Sequence, residues 1–203
     1  MRYSMKPLAC DPRQIKGMSE KLILNHYEFN YGGAVKRLNA ITEQLAALDL
    51  ANAPVFVVNG LKREELIAAN SMILHELFFA SLGGESEPDA ATREALIRDF
   101  GSFERWQAEF CAMGKALGGG SGWVLLTYSP RDQGLVNQWA ADHTHALAGA
   151  RPILALDMYE HSYHLDYGPK AADYVDAFMR VINWRNAGEL HAEAARTVAV
   201  KPS

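Results

Sequence analysis

The sequence predicts an α+β protein with its helices first and a small cluster of strands late. Three observations carry this. Apolar residues recur at helical spacing through 19–48 and 61–82, Gly83-Gly84 then interrupts the chain, and three short segments of strand composition follow the glycine run at 118–122. Residues 1–16 read as an irregular arm. From Ser19 to Leu48 one stripe holds Leu22, His26 and Phe29, followed by Val35, Leu38, Ile41 and Leu45, with a bend expected at Gly32-Gly33. Residues 49–60 read as a connector. Leu61 to Leu82 is a second helix stopped by the glycine pair, and the two form an antiparallel hairpin. Residues 88–99 and 102–117 read as helices, the second capped by Ser102. The strand candidates are 123–129, 134–142 and 153–157, the last continuously apolar and so expected at the sheet centre. Helices are expected over 171–181 and after Trp184. The expected division is a helical hairpin domain, 1–85, and an α/β domain, 86–203.

Composition narrows the function. In 203 residues, 49% are hydrophobic and 22% charged, the profile of a folded globular chain. No run approaches the roughly 18 apolar residues of a membrane helix, and neither end carries a recognisable targeting or lipid-attachment signal. The net charge of −4 and the lack of a Lys/Arg block argue against nucleic acid as the main ligand. Cys10 and Cys111 stand far apart in no metal-like spacing, which reads as two free thiols in a reducing cytoplasm.

The chemistry concentrates in histidines and one acidic cluster. Asp157 and His161 follow the apolar ILAL segment, where an ionisable pair is costly unless neutralised. A metal ion neutralises it, since carboxylate oxygen and imidazole nitrogen both ligate Fe, Mn or Zn. The alternative is an Asp capping the next turn beside a partly exposed His. His26 and His75 each lie on an apolar helical stripe, where a lone His is commonly a hydrogen-bonded core residue. Two on facing helices suit a metal held between them.

These residues resemble the iron/manganese superoxide dismutase family. LNHYEFNYGGAVKRLN (24–39) resembles that family's first ligand helix and NSMILHELFF (70–79) its second. GSGWVLL (120–126) resembles the start of its first strand, DMYEHSYHLDY (157–167) its D-x-W-E-H-A-Y-Y-L-D-Y motif, and ADYVDAFMRVINW (172–184) its closing segment. The resemblance spans nearly the whole chain in order. It implies a helical hairpin followed by an α/β domain with a three-stranded antiparallel sheet. It also implies one Fe or Mn per subunit, iron preferred, bound by His26, His75, Asp157, His161 and a solvent molecule. The implied reaction converts two superoxide ions to oxygen and hydrogen peroxide. Glu160 is implied to reach His161 of the partner subunit in a homodimer, with a tetramer as the further option, and Trp123 to lie beside the centre.

The chain departs from the family pattern around that centre. Ala34 stands where the family has its gate Tyr, and Asn30 where it has the gate His. The Tyr that meets the gate His from the other subunit is His164, and the Trp of the motif is Tyr159. Ser71 replaces the second-helix Gln of many iron members, and Ala171, beside Lys170, replaces a frequent Arg. The hydrogen bond to metal-bound solvent is therefore assigned to His143, with His145 as runner-up, and Tyr31 is a remote substitute for the gate phenol. Arg37 and Lys170 are candidates for local steering of an anion that the net charge repels. Without the gate phenol, proton delivery is expected to slow and the site to admit larger anions. A catalytically impaired or repurposed metal-binding protein of the same fold is the alternative reading.

Overall fold

The computed structural model describes residues 2–84 and 87–199. The domain division expected at 85/86 and the last residues, 200–203, lie outside the described residues. The N-terminal arm is stitched to the hairpin. Tyr3 N–H donates to Asn39 Oδ1 at 2.8 Å, and Asn39 Nδ2–H donates to Tyr3 O at 2.9 Å. Ser19 Oγ accepts from Leu22 N–H at 3.1 Å and caps α1, Glu20–Asn25.

A π-helical turn, His26–Tyr31, joins α1 directly to α2, Gly32–Ala47. The expected bend at Gly32-Gly33 is therefore absent; the irregularity lies one turn earlier, and both glycines sit in continuous helix. The wide turn also rotates the residues within it. Phe29, expected on the buried stripe, is 71% exposed, while Tyr31 takes the core position. Val35, Leu38 and Ile41 then follow the expected face.

The return helix, α3, runs Val55–Ala80. It starts six residues earlier than the sequence suggests, because 55–60 lie in the helix and not in the connector. Its end comes at Ala80, ahead of the glycine pair, with Ser81 closing the last turn and Gly83 at φ 83°. Backbone bonds tie that end to a later segment: Asn183 N–H donates to Ser81 O at 2.7 Å and Gly84 N–H to Val181 O at 3.1 Å. The next two helices match expectation closely, α4 at Ala90–Phe100 capped by Asp89 and α5 at Phe103–Ala116 capped by Ser102.

The strands are β1, Trp123–Ser129, β2, Gly134–Ala140, and β3, Arg151–Asp157. All pairings are antiparallel and the order is β2-β1-β3, so β1 is central and β3 lies at an edge, contrary to the reading from its apolar run. The run is apolar because β3 is covered by α3 and α8, while α5 packs on β1 and α4 on β2. Gly122 is required at the entrance to β1: its φ is 135°, and a Cβ there would meet Ala140 O at 2.1 Å. A short turn, Glu160–Ser162, leads to α6, His164–Tyr167, then α7, Ala171–Met179, and α8, Trp184–Ala199. Trp106, Phe110, Trp123, Phe178 and Leu126 are fully buried in one continuous core. Each buried Phe or Leu contributes roughly 1.5–3 kcal/mol. Among the described residues no helix is long and apolar enough to cross a membrane.

Candidate metal centre

The sheet register assembles one wall of the site. Trp123 opens β1 opposite both Ala140 of β2 and Asp157 of β3. The end of β3 and the segment after β2 thus emerge at the same edge of the core, facing the C-terminal half of α3 and the π-helical turn. His26 is the first residue of that turn, and His75 lies in α3.

His26, His75, Asp157 and His161 offer donor atoms that all lie within 4.8 Å of one another. Asp157 Oδ2 is 3.1 Å from His26 Nε2, 3.6 Å from His75 Nε2 and 3.3 Å from His161 Nε2. Ligand atoms about 2.1 Å from a shared cation, at angles between right and trigonal, lie roughly 3.0–3.6 Å apart. All three separations fall in that range. His26 Nε2 and His75 Nε2 are buried with no hydrogen-bond partner, an arrangement that costs free energy unless a cation takes the lone pairs. The residues fit a metal ion.

The surroundings fix His75 and Asp157 for that task. Nδ1–H of His75 donates to Ser71 O at 2.6 Å, so its Nε2 carries the lone pair. Asp157 Oδ1 accepts from Tyr159 N–H at 2.9 Å, and its backbone oxygen accepts from Tyr174 OH at 2.9 Å. Burial alone would raise the Asp157 carboxyl, but the close imidazoles of His161 and His26 outweigh it and hold the group well below the usual carboxylate range. Burial pushes His26 down and carries His75 down to about 3, reinforced by neighbouring His26, so both are neutral at pH 7. A buried carboxylate among three imidazoles, with no thiolate to be oxidised, suits a redox-active divalent or trivalent ion.

His143 lies against this cluster. Its ring centroid is 6.1 Å from that of His75 and stacks on Tyr159 at 4.8 Å; Tyr159 in turn stacks on His161 at 5.4 Å. Trp123 Nε1–H donates to His143 Nδ1 at 3.0 Å. Because an indole only donates, Nδ1 is the acceptor and the proton of the neutral ring sits on Nε2. Burial lowers His143, which favours that neutral form, and raises the Tyr159 phenol to about 12. His145 is turned elsewhere: it is exposed, accepts from Ala141 N–H at 3.1 Å through Nδ1 and packs on Trp139.

A recess of about 330 Å³ lies beside His143, with Asn30, Ala34, Arg37 and Ser71 also in its lining. Arg37 brings a cation to it and pairs with Glu64 at 2.8 Å. Tyr31 is not among its lining residues; its hydroxyl donates to Glu76 Oε1 at 3.1 Å and accepts from Lys6 N–H at 2.8 Å. Glu160, His164 and Lys170 lie on the exposed surface of the chain. Asn70 was not legible as a site residue: its Nδ2–H donates to His143 O at 2.6 Å, a contact across 73 positions that no local pattern signals.

Comparison with known proteins agrees with this geometry. Residues 88–190 match the family described as iron/manganese superoxide dismutases, C-terminal domain. A protein of Cupriavidus metallidurans named as an iron superoxide dismutase is 70% identical over 97% of this chain and 100% of its own length. A manganese superoxide dismutase of Haloferax volcanii is 36% identical over 96% of this chain and 98% of its own, and an iron superoxide dismutase of Aquifex pyrophilus is 33% identical over 91% and 89%. With the family profile covering half of the sequence and these relatives nearly all of it, the chain belongs to the iron/manganese superoxide dismutases.

Proposed function

We propose that the protein disproportionates superoxide at a single iron or manganese ion held by His26, His75, Asp157 and His161. The observation that carries this is the convergence of three imidazole nitrogens on one buried Asp157 oxygen, with two of those nitrogens otherwise unpartnered. Iron is preferred of the two metals, and the 70% identical relative named for iron supports that preference.

The ion supplies one-electron chemistry: one superoxide loses an electron and leaves as oxygen, and a second gains an electron and two protons to leave as hydrogen peroxide. The protein's own residues do the rest. Ser71 O holds His75 in the tautomer that presents Nε2. Tyr159 N–H fixes the Asp157 carboxylate. His143 holds a proton at Nε2 beside the centre, because Trp123 occupies its other nitrogen. Tyr159, stacked between His143 and His161, excludes water from that side. Asn30 and Ala34 leave the recess wide, and Arg37 offsets locally the repulsion of an anion by a chain of charge −4.

The reading extends to assembly. Glu160, exposed on the protomer, reaches His161 of the partner subunit in a homodimer, and Asn30 meets His164 of the partner subunit across the same face. Residues 1–85 and 86–203 form the two domains whose junction holds the ion. Free Cys10 and Cys111 suit a reducing cytoplasm. The test is superoxide decay followed by pulse radiolysis on iron-loaded and manganese-loaded protein. Catalysed decay proportional to bound metal supports the proposal, and full occupancy with decay at the uncatalysed rate rejects it.

A further inference from the structure

We propose that Asn70 is a positioning residue for His143, clamping by its backbone the loop that carries this imidazole to the metal centre. The inference rests on the reading of the site above. Asn70 Nδ2–H donates to His143 O at 2.6 Å, and the next residue of α3, Ser71, accepts from His75 Nδ1–H through its own backbone oxygen. Two consecutive residues of one helix therefore hold both His75 and the group beside it.

The need for a clamp follows from the loop. Between β2 and β3 the chain is largely exposed, and its local bonds, such as Thr144 N–H and Oγ1–H to Asp142 Oδ1 at 2.6 Å and Ala141 N–H to His145 Nδ1 at 3.1 Å, tie the loop only to itself. Trp123 grips the His143 ring at Nδ1, and the His143 backbone N–H donates to the Tyr159 phenol oxygen, which leaves the carbonyl side of the residue to be held. Asn70 holds that carbonyl, so ring, amide and carbonyl together define where Nε2–H is presented. The stacking on Tyr159 fixes the ring plane without setting its height over the centre.

The test substitutes Asn70→Asp, equal in size but with an acceptor in place of the N–H donor, and Asn70→Ala, which removes the donor without adding charge. Both are made in the full iron-loaded chain and again with His143→Ala. Metal content is expected to stay at the wild-type level. Deuterium exchange of the backbone amides of 141–147 is expected to quicken by about tenfold and kcat to fall by roughly three- to tenfold, the scale of one lost hydrogen bond. With His143→Ala already present, neither substitution is expected to lower kcat further. Unchanged exchange of 141–147, or an equal fall in kcat in both backgrounds, would overturn the clamp. Exchange needs no turnover, so a metal-loaded wild-type chain without dismutase activity would reject the reading of the site and leave the clamp to be decided by exchange alone.

Discussion

Trp123 and His143 meet through a 3.0 Å hydrogen bond from the indole nitrogen to Nδ1, so a residue at the head of the central strand sets the tautomer of an imidazole on a loop twenty positions later. His143 is thereby a donor at Nε2, whereas His145, two residues on, is exposed and already engaged with Ala141 N–H. His143→Ala is expected to reduce kcat by about tenfold or more with metal content kept, on the scale of a lost proton donor. His145→Ala is expected to stay within about twofold. Stopped-flow superoxide decay on both variants separates them.

The recess beside Ala34 has room for a larger side chain. Ala34→Tyr places a phenol in the recess that Asn30 and His143 also line, and kcat is expected to rise by roughly threefold or more if proton delivery limits turnover. A fall in activity with unchanged metal content would show that the wide recess is itself needed. The same variant is expected to weaken inhibition by formate or acetate, which an open recess admits and a filled one excludes.

The metal-free chain buries a carboxylate with neutral imidazoles that have lost their common partner. Chelation is expected to lower the thermal midpoint. For an ion present at a thousand times its Kd the binding term is about 4 kcal/mol, or roughly 8–16 °C for a chain of this size. Differential scanning calorimetry before and after chelation checks this, and re-addition of iron should restore the midpoint.

Acid should destabilise the metal-free protein before carboxylates titrate. His75 is held down to about 3 in the folded state by burial and by His26, against an ordinary value of 6.5. Between those values the unfolded chain binds a proton that the folded chain refuses, so stability falls as pH drops from about 6.5 toward about 3. Below the ordinary carboxyl value of 3.8, the depressed Asp157 acts in the same direction. Urea midpoints taken from pH 8 to pH 4 are expected to decline, and in His75→Gln the decline should be shallower.

Much of this was legible from residue patterns, for identifiable reasons. His75 sits among Leu74, Leu77 and Phe78 in a helix whose period is plain, and Asp157 ends a strand that the burial pattern reproduces. The π-helical turn was hidden because i→i+5 bonding has no local residue preference, and missing it put Phe29 on the wrong face. The first turn of α3 was hidden because Val55, Val57 and Val58 are β-branched and weak helix formers, outweighed by the long helix they continue. The edge position of β3 was misread because burial by α3 and α8 makes an edge strand as apolar as a central one. Asn70 had no signal at all, since a polar residue on a helix acquires a role only from what the fold brings opposite it.

Metal analysis of the purified chain beside its His26→Ala variant bears most directly on the central claim. Close to one iron or manganese ion per wild-type chain and almost none in the variant is expected, with superoxide decay following the occupancy of each. A wild-type chain that folds, is offered both metals and retains neither would contradict it.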